Sequence, residues 1–267
     1  MTRESATTQV FIGWDVGGWN CDRNRESRDA VVILDSGGTL LGTPWRGNLR
    51  TAINQAQNSR EWLERLLALC QLTSSAAQIQ AVLAIDTPLG FSAAFLRLLD
   101  RLEYEATIGQ SDTNPYLFRY TERFLFEHGL RPLSPVKDMI GSQATKGRHV
   151  LAKFAPKLKA CGVWHDGARL TAIEAYPSAC KASALMQKLL ESFFSFQSES
   201  VCTAEGNEFD DPDKRDALIC ALTAGLFWDQ PALLAPPTGT TPRMEGWIWL
   251  PKDVFGRANA DPRKRGR

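Results

Sequence analysis

The sequence predicts an α/β fold built on a mixed sheet, and three observations carry that expectation. The apolar runs AVVILD (30–35) and TLLGTP (39–44) flank the turn signal Ser36-Gly37-Gly38, which reads as a hairpin and makes the first three strands an antiparallel meander. IQAVLAIDTPLG (79–90) is a near-continuous apolar strand after a helical segment, as expected of a central parallel strand covered on both faces. The overall order is three strands, helix, strand, helix, insertion, strand, helix, helix, with no repeat at a solenoid period.

The first strand, VFIGWDVGGWN (10–20), carries one acid, Asp15, and breaks at once into Gly17-Gly18. After the meander, Asn58 stands three residues before Glu61 in a capping-box arrangement, which starts a helix through EWLERLLALC. The strand at 79–90 ends on Asp86 before Pro88 and Gly90, and FSAAFLRLLDRLE (91–103) has helical spacing. Residues 104–168 are the least regular, with Pro and Gly breaks between two or more expected helices, and read as a helical insertion or cap. LTAIEAYP (170–177) is a further apolar strand, interrupted by Glu174, with a helix expected from Ser178 to about Phe194. DPDKRDALICALTAGLFWD (211–229) is a helix with Pro212 in its first turn, EGWIWLP (245–251) an edge strand, and 258–267 a basic, flexible tail. The 267 residues suit a single domain with that insertion inside it.

Composition narrows the function classes. A formal charge of +1 gives no global attraction to polyanions, so any charge argument is local. Six cysteines without a C-x-x-C pair read as reduced core thiols, and three histidines do not suit a histidine-rich metal site. The start lacks a basic segment followed by an apolar one, and no run approaches the ~18 apolar residues of a membrane span, so the expectation is a cytoplasmic protein without membrane contact. GxGxxG, GxxxxGK[ST] and GxSxG are absent, against dinucleotide, P-loop and serine-hydrolase chemistry.

A lone acid at a strand end ordinarily caps a turn. Asp15, Asp86 and Glu174 each interrupt an apolar strand, which makes a shared site the sharper reading. If the first and fourth strands lie side by side and parallel, Asp15 and Asp86 reach the same sheet edge about 4.8 Å apart, where open α/β sheets bind ligands. Such carboxylates repel unless a cation joins them. Asp213 and Asp216, three apart on the 211–229 helix, share a face and would complete the set, although Asp213 also suits a helix N-terminus on its own. Carboxylates without His or Cys match Mg²⁺ or Mn²⁺, and two ions about 3.5–4 Å apart would activate water for phosphodiester hydrolysis. Gly17 and Gly18 would leave room for a substrate backbone.

GWDVGG (13–18), AIDTPLGF (84–91), IEAYP (173–177), KRDALICALTAG (214–225) and EGWIWLP (245–251), in this order across nearly the whole chain, resemble the DUF429 family of predicted RNase H-like nucleases. The resemblance implies an RNase H-like fold with a five-stranded mixed sheet, and metal ligation by Asp15, Asp86 and Asp216. Asp213 with Asp216 is similar to the late acid pair of RuvC-type resolvases, and Glu174 to the acid of the family's E-x-Y-P motif, as a further catalytic group. Resolvase-like relatives imply a homodimer.

For substrate, Arg119 and Arg123 with Glu122 beside them would form a phosphate clamp on the insertion, against the plainer reading of a solvated helix face, and Lys137 is a further substrate-binding candidate in the same region. Lys146, Arg148, Lys153, Lys157 and Lys159 would extend a basic surface. Trp19 and Tyr116 offer base-stacking surfaces, and Trp14 is expected in the core. The resulting expectation is a metal-dependent nuclease acting on DNA or RNA. The alternatives are an ATP-dependent kinase of the actin and sugar-kinase type, whose phosphate loops also begin with Asp and Gly, and an inactive adaptor in which the acids do not meet.

Overall fold

The structure is a computed structural model that describes residues 7–73, 76–200 and 208–257. The expected meander is present: β1 (Thr8–Asp15) pairs antiparallel with β2 (Asp29–Asp35), and β2 with β3 (Trp45–Gly47). The third strand is displaced from the expected 39–44. There only Leu40 makes an isolated bridge, to Leu34, because the tight turn at Gly38 (φ 79°) is followed by a second left-handed glycine, Gly42 (φ 66°), that turns the chain away.

Two helices follow, α1 (Arg50–Gln55) and α2 (Ser59–Leu69). Asn58 caps α2 by accepting a hydrogen bond from the Glu61 amide (2.9 Å), as the spacing predicts. β4 (Ile79–Asp86) lies parallel to β1 with all eight residues in register, and α3 (Ala93–Arg101) follows it.

The 104–168 segment holds more than helices. Besides α4 (Tyr120–Glu127) and α5 (Gly141–Phe154) it contributes β5 (Lys157–Ala160) and β6 (Val163–His165), a hairpin turned at Gly162 (φ 70°) that joins the sheet beside β7 (Leu170–Ala175). The helix expected from Ser178 is split into α6 (Pro177–Cys180) and α7 (Ala184–Ser200), because the Ser183 hydroxyl accepts from the Met186 amide and starts the second helix anew. Then come α8 (Pro212–Asp229), the two-residue edge strand β8 (Ile248–Trp249), parallel to the end of β7, and α9 (Val254–Arg257). The basic tail at 258–267 lies outside the described residues.

The sheet therefore runs β3-β2-β1-β4-β7-β6-β5 with β8 also on β7. It is an open mixed α/β sheet of eight strands among the described residues, not five, the excess coming from the insertion hairpin and β8. Alternation divides each strand between two cores. Phe11, Val32, Val82, Ala84 and Ile173 face α8, while Val10, Ile12, Trp14, Leu83 and Ala172 face α2 and α5. Trp14 is core, as expected, packed edge-on to Trp62.

Candidate active site

Asp15 and Asp86 are the last residues of adjacent parallel strands and stand opposite each other in the register. By alternation both lie on the α8 face of the sheet, with Phe11, Gly13, Val82 and Ala84. α8 comes close enough to frame them because Gly13 has no side chain: a Cβ there would lie 1.8 Å from the Ala217 carbonyl oxygen. Both carboxylates are half-buried at the floor of a cleft of about 230 Å³ that Thr87, Gln143, Glu174 and Ser178 also line. Among the described residues neither has a cation within ion-pair distance. Burial, followed by the charges of Asp86, Asp213, Asp216 and Asp29, raises Asp15 well above the usual carboxylate range. Burial, then Asp216 and Glu174, push Asp86 up to about 8, with Lys181 pulling the other way.

Two neutral atoms point to the same cleft. The Thr87 hydroxyl and the Gln143 amide oxygen are buried without a hydrogen-bond partner, and Thr87 is only 5% exposed. Such orphans cost about 1–3 kcal/mol each unless a ligand or water completes them.

The remaining acids are near but already matched. Asp216 receives the Lys181 ammonium, at 2.6 Å from Oδ1 and 2.9 Å from Oδ2. Asp213 is clamped by Arg46 (2.6 Å from Nη2) and accepts from the Arg28 amide (3.0 Å). The Arg46 guanidinium also reaches Asp211 (3.1 Å), which caps α8. Glu174 departs most from expectation. One residue out of phase with Asp86, it sits in register with Ile85 and so projects to the opposite face. There Arg119 grips both its oxygens (2.6 and 2.8 Å) and the Leu89 amide donates to Oε2 (2.8 Å). Among the described residues no three His, Cys, Asp or Glu side chains form a group placed to hold a metal ion, so the expected four-carboxylate set is reduced to the Asp15/Asp86 pair.

The expected substrate contacts resolve differently. Arg119 and Glu122 are fully buried and bonded to each other (2.7 Å), so they form a structural tie to Glu174 rather than a phosphate clamp. Arg123 is half-buried, lines a separate cavity of about 390 Å³ with Tyr120 and Phe124, and has an Nε without a partner. Lys137 is exposed, its ammonium 5.4 Å from the Phe118 ring centre. Gly17 and Gly18 make room for other parts of this chain: a Cβ on Gly17 would lie 2.7 Å from the backbone nitrogen of Asp29, and one on Gly18 3.0 Å from the side-chain oxygen of Ser142. The basic surface is thinner than expected, since Lys153 bonds the Ile53 carbonyl (2.8 Å) and Arg148 the Leu89 carbonyl (3.2 Å). Tyr116 takes the Glu105 amide on its hydroxyl (2.7 Å).

Lys146, expected on the basic surface, is instead fully buried behind the β1 end in an ion pair with Asp29, a residue that sequence reasoning missed. Asp29 also accepts from Trp14 Nε1 (3.0 Å), the Gly17 amide (2.9 Å) and the Leu49 amide (2.7 Å). Lys146 donates to the Gly17 carbonyl (3.2 Å). The pair thus fixes the loop that follows Asp15. An acid opening an apolar strand at Asp29 was the available signal.

Fold and site together define an open mixed-sheet α/β protein with an acidic pair at the carboxyl edge of two central parallel strands. Comparisons with protein-family models, with curated proteins and with solved structures find no match.

Proposed function

We propose that the protein is a metal-dependent hydrolase of phosphodiester bonds in DNA or RNA, with an RNase H-like arrangement of its sheet. The observation that carries this reading is the Asp15/Asp86 pair, two adjacent carboxylates in a cleft with no counter-ion among the described residues. Oxygen-only donors on a half-buried floor fit a hard divalent cation, Mg²⁺ or Mn²⁺, and Asp15 and Asp86 would hold it. When bound, such an ion polarises a phosphoryl oxygen and lowers the pKa of water. The chain's own groups supply the rest. The Thr87 hydroxyl and the Gln143 amide face the cleft with unused hydrogen-bonding capacity and can position a water or a phosphate oxygen. Lys181, whose ammonium sits on Asp216 and whose charge is felt by Asp86, offers a positive charge to the substrate. An actin-type kinase needs two sheet units around its nucleotide, whereas the described residues build one sheet.

The test is a cleavage assay on labelled single-stranded, duplex and branched DNA and RNA with Mn²⁺. Wild type should cleave at least one of them, chelator should stop it, and Asp15→Asn should lower the rate by a factor on the order of 10² or more. Equal cleavage by the variant, or none on any substrate, would refute the reading.

A further inference from the structure

Each acid that could extend the Asp15/Asp86 pair into a second cation site already has a cation of its own. Glu174 is held by Arg119, Asp213 by Arg46 and Asp216 by Lys181. Arg119 is fully buried and the half-buried Arg46, 21% exposed, is shared between Asp211 and Asp213, whereas Lys181 is 47% exposed. Its position is fixed by α6, where the Lys181 amide donates to the Pro177 carbonyl (2.9 Å) and Cys180 is buried in the core. Ser178 of the same turn lines the cleft. The charge count agrees: Asp15, Asp86 and Asp216 set against Lys181 leave two negative charges, which one divalent ion neutralises. Independently of these acids, the unpartnered Thr87 hydroxyl lines the same cleft, its methyl group turned towards Gly147, and marks the place as built for a ligand.

Resting on the hydrolase reading above, we infer that the cleft takes one divalent cation and not two, held by Asp15 and Asp86, and that Lys181 seated on Asp216 is the second positive charge. Lys181 is then the group that meets a phosphate oxygen of the substrate, in the role a second ion would have. It is a compact ammonium suited to a point contact.

Mn²⁺ titration of the full chain by calorimetry, with bound ions counted by electron paramagnetic resonance, tests this without substrate. Wild type and Lys181→Arg should bind one ion. Lys181→Met frees Asp216 and should admit a second, which Asp216→Asn in the same chain removes. Asp216→Asn alone should change the wild-type Kd less than about threefold, while Asp15→Asn abolishes binding. Two ions in wild type, or a loss in Asp216→Asn as large as in Asp15→Asn, would overturn the role of Lys181 and leave the hydrolase reading standing. No Mn²⁺ bound by wild type would overturn both. If Lys181→Met does not fold, the wild-type count and the Asp216→Asn affinity decide alone.

Discussion

At the residue scale, Asp86 combines burial with neighbouring negative charge, and this has a signature in solution. Its folded pKa of about 8 stands above the ordinary 3.8, so the folded protein holds that proton more tightly than the unfolded chain. Stability is therefore full below about pH 4, declines as pH rises through the window up to about 8, and levels off beyond it. Asp15 adds a shift of the same sign. Calorimetric melting in chelator between pH 4.5 and 8.5 should show this decline, and Asp86→Asn should flatten it and melt higher than wild type at the alkaline end. Mn²⁺ should restore wild-type stability most where the decline is greatest. Arg119 is the opposite case, a buried cation spent wholly on structure. Arg119→Ala would leave Glu122 and Glu174 buried without their partner, and a loss of about 3–5 kcal/mol in urea unfolding is expected.

At the element scale, the close approach of α8 to β1 decides whether the acids meet. The helix presents Ala217 and Ala221 to Gly13, and Gly225 to the Phe11 ring, so small residues alone permit the contact. Gly13→Ala should cost about 3 kcal/mol or more through overpacking against helix backbone, and should weaken Mn²⁺ binding although it touches no acid. Folded yield and Mn²⁺ affinity of that variant check both effects. β1, β4, β7, α2 and α8 were legible in the sequence because long apolar runs and caps mark them. β5 and β6 were not, since Lys157–Ala160 is largely exposed and β6 is three residues long, so neither carries a buried periodicity. The site was legible only in part. Strand-end position identified Asp15 and Asp86, but the face of Glu174 follows from a one-residue phase difference between strands, and no spacing within a strand reports it. The partners Lys181, Arg46 and Arg119 come from segments far apart in the chain, and nothing local to each acid names its cation.

At the scale of the whole molecule, near-neutral charge and the commitment of Arg46, Arg119, Lys146, Arg148 and Lys153 to internal partners limit how strongly the cleft side of the protein can hold a polyanion. Each phosphate contact on a single strand contributes roughly −0.7 to the slope of log affinity against log salt, and with few free cations at the cleft the total should stay shallower than about −3. Fluorescence anisotropy of a labelled oligonucleotide across a salt series measures it, and a slope near −6 would mean a basic surface elsewhere on the chain. The Asp29–Lys146 pair adds a consequence of a different kind, one of timing. The two residues are 117 positions apart. During synthesis at about 5–20 residues per second, Asp29 waits on the order of ten seconds for its counter-charge to leave the ribosome. Until α5 arrives the meander cannot bury that carboxylate as it does in the finished protein, so the nascent amino-terminal half is an unfinished structure and a ready target for chaperones.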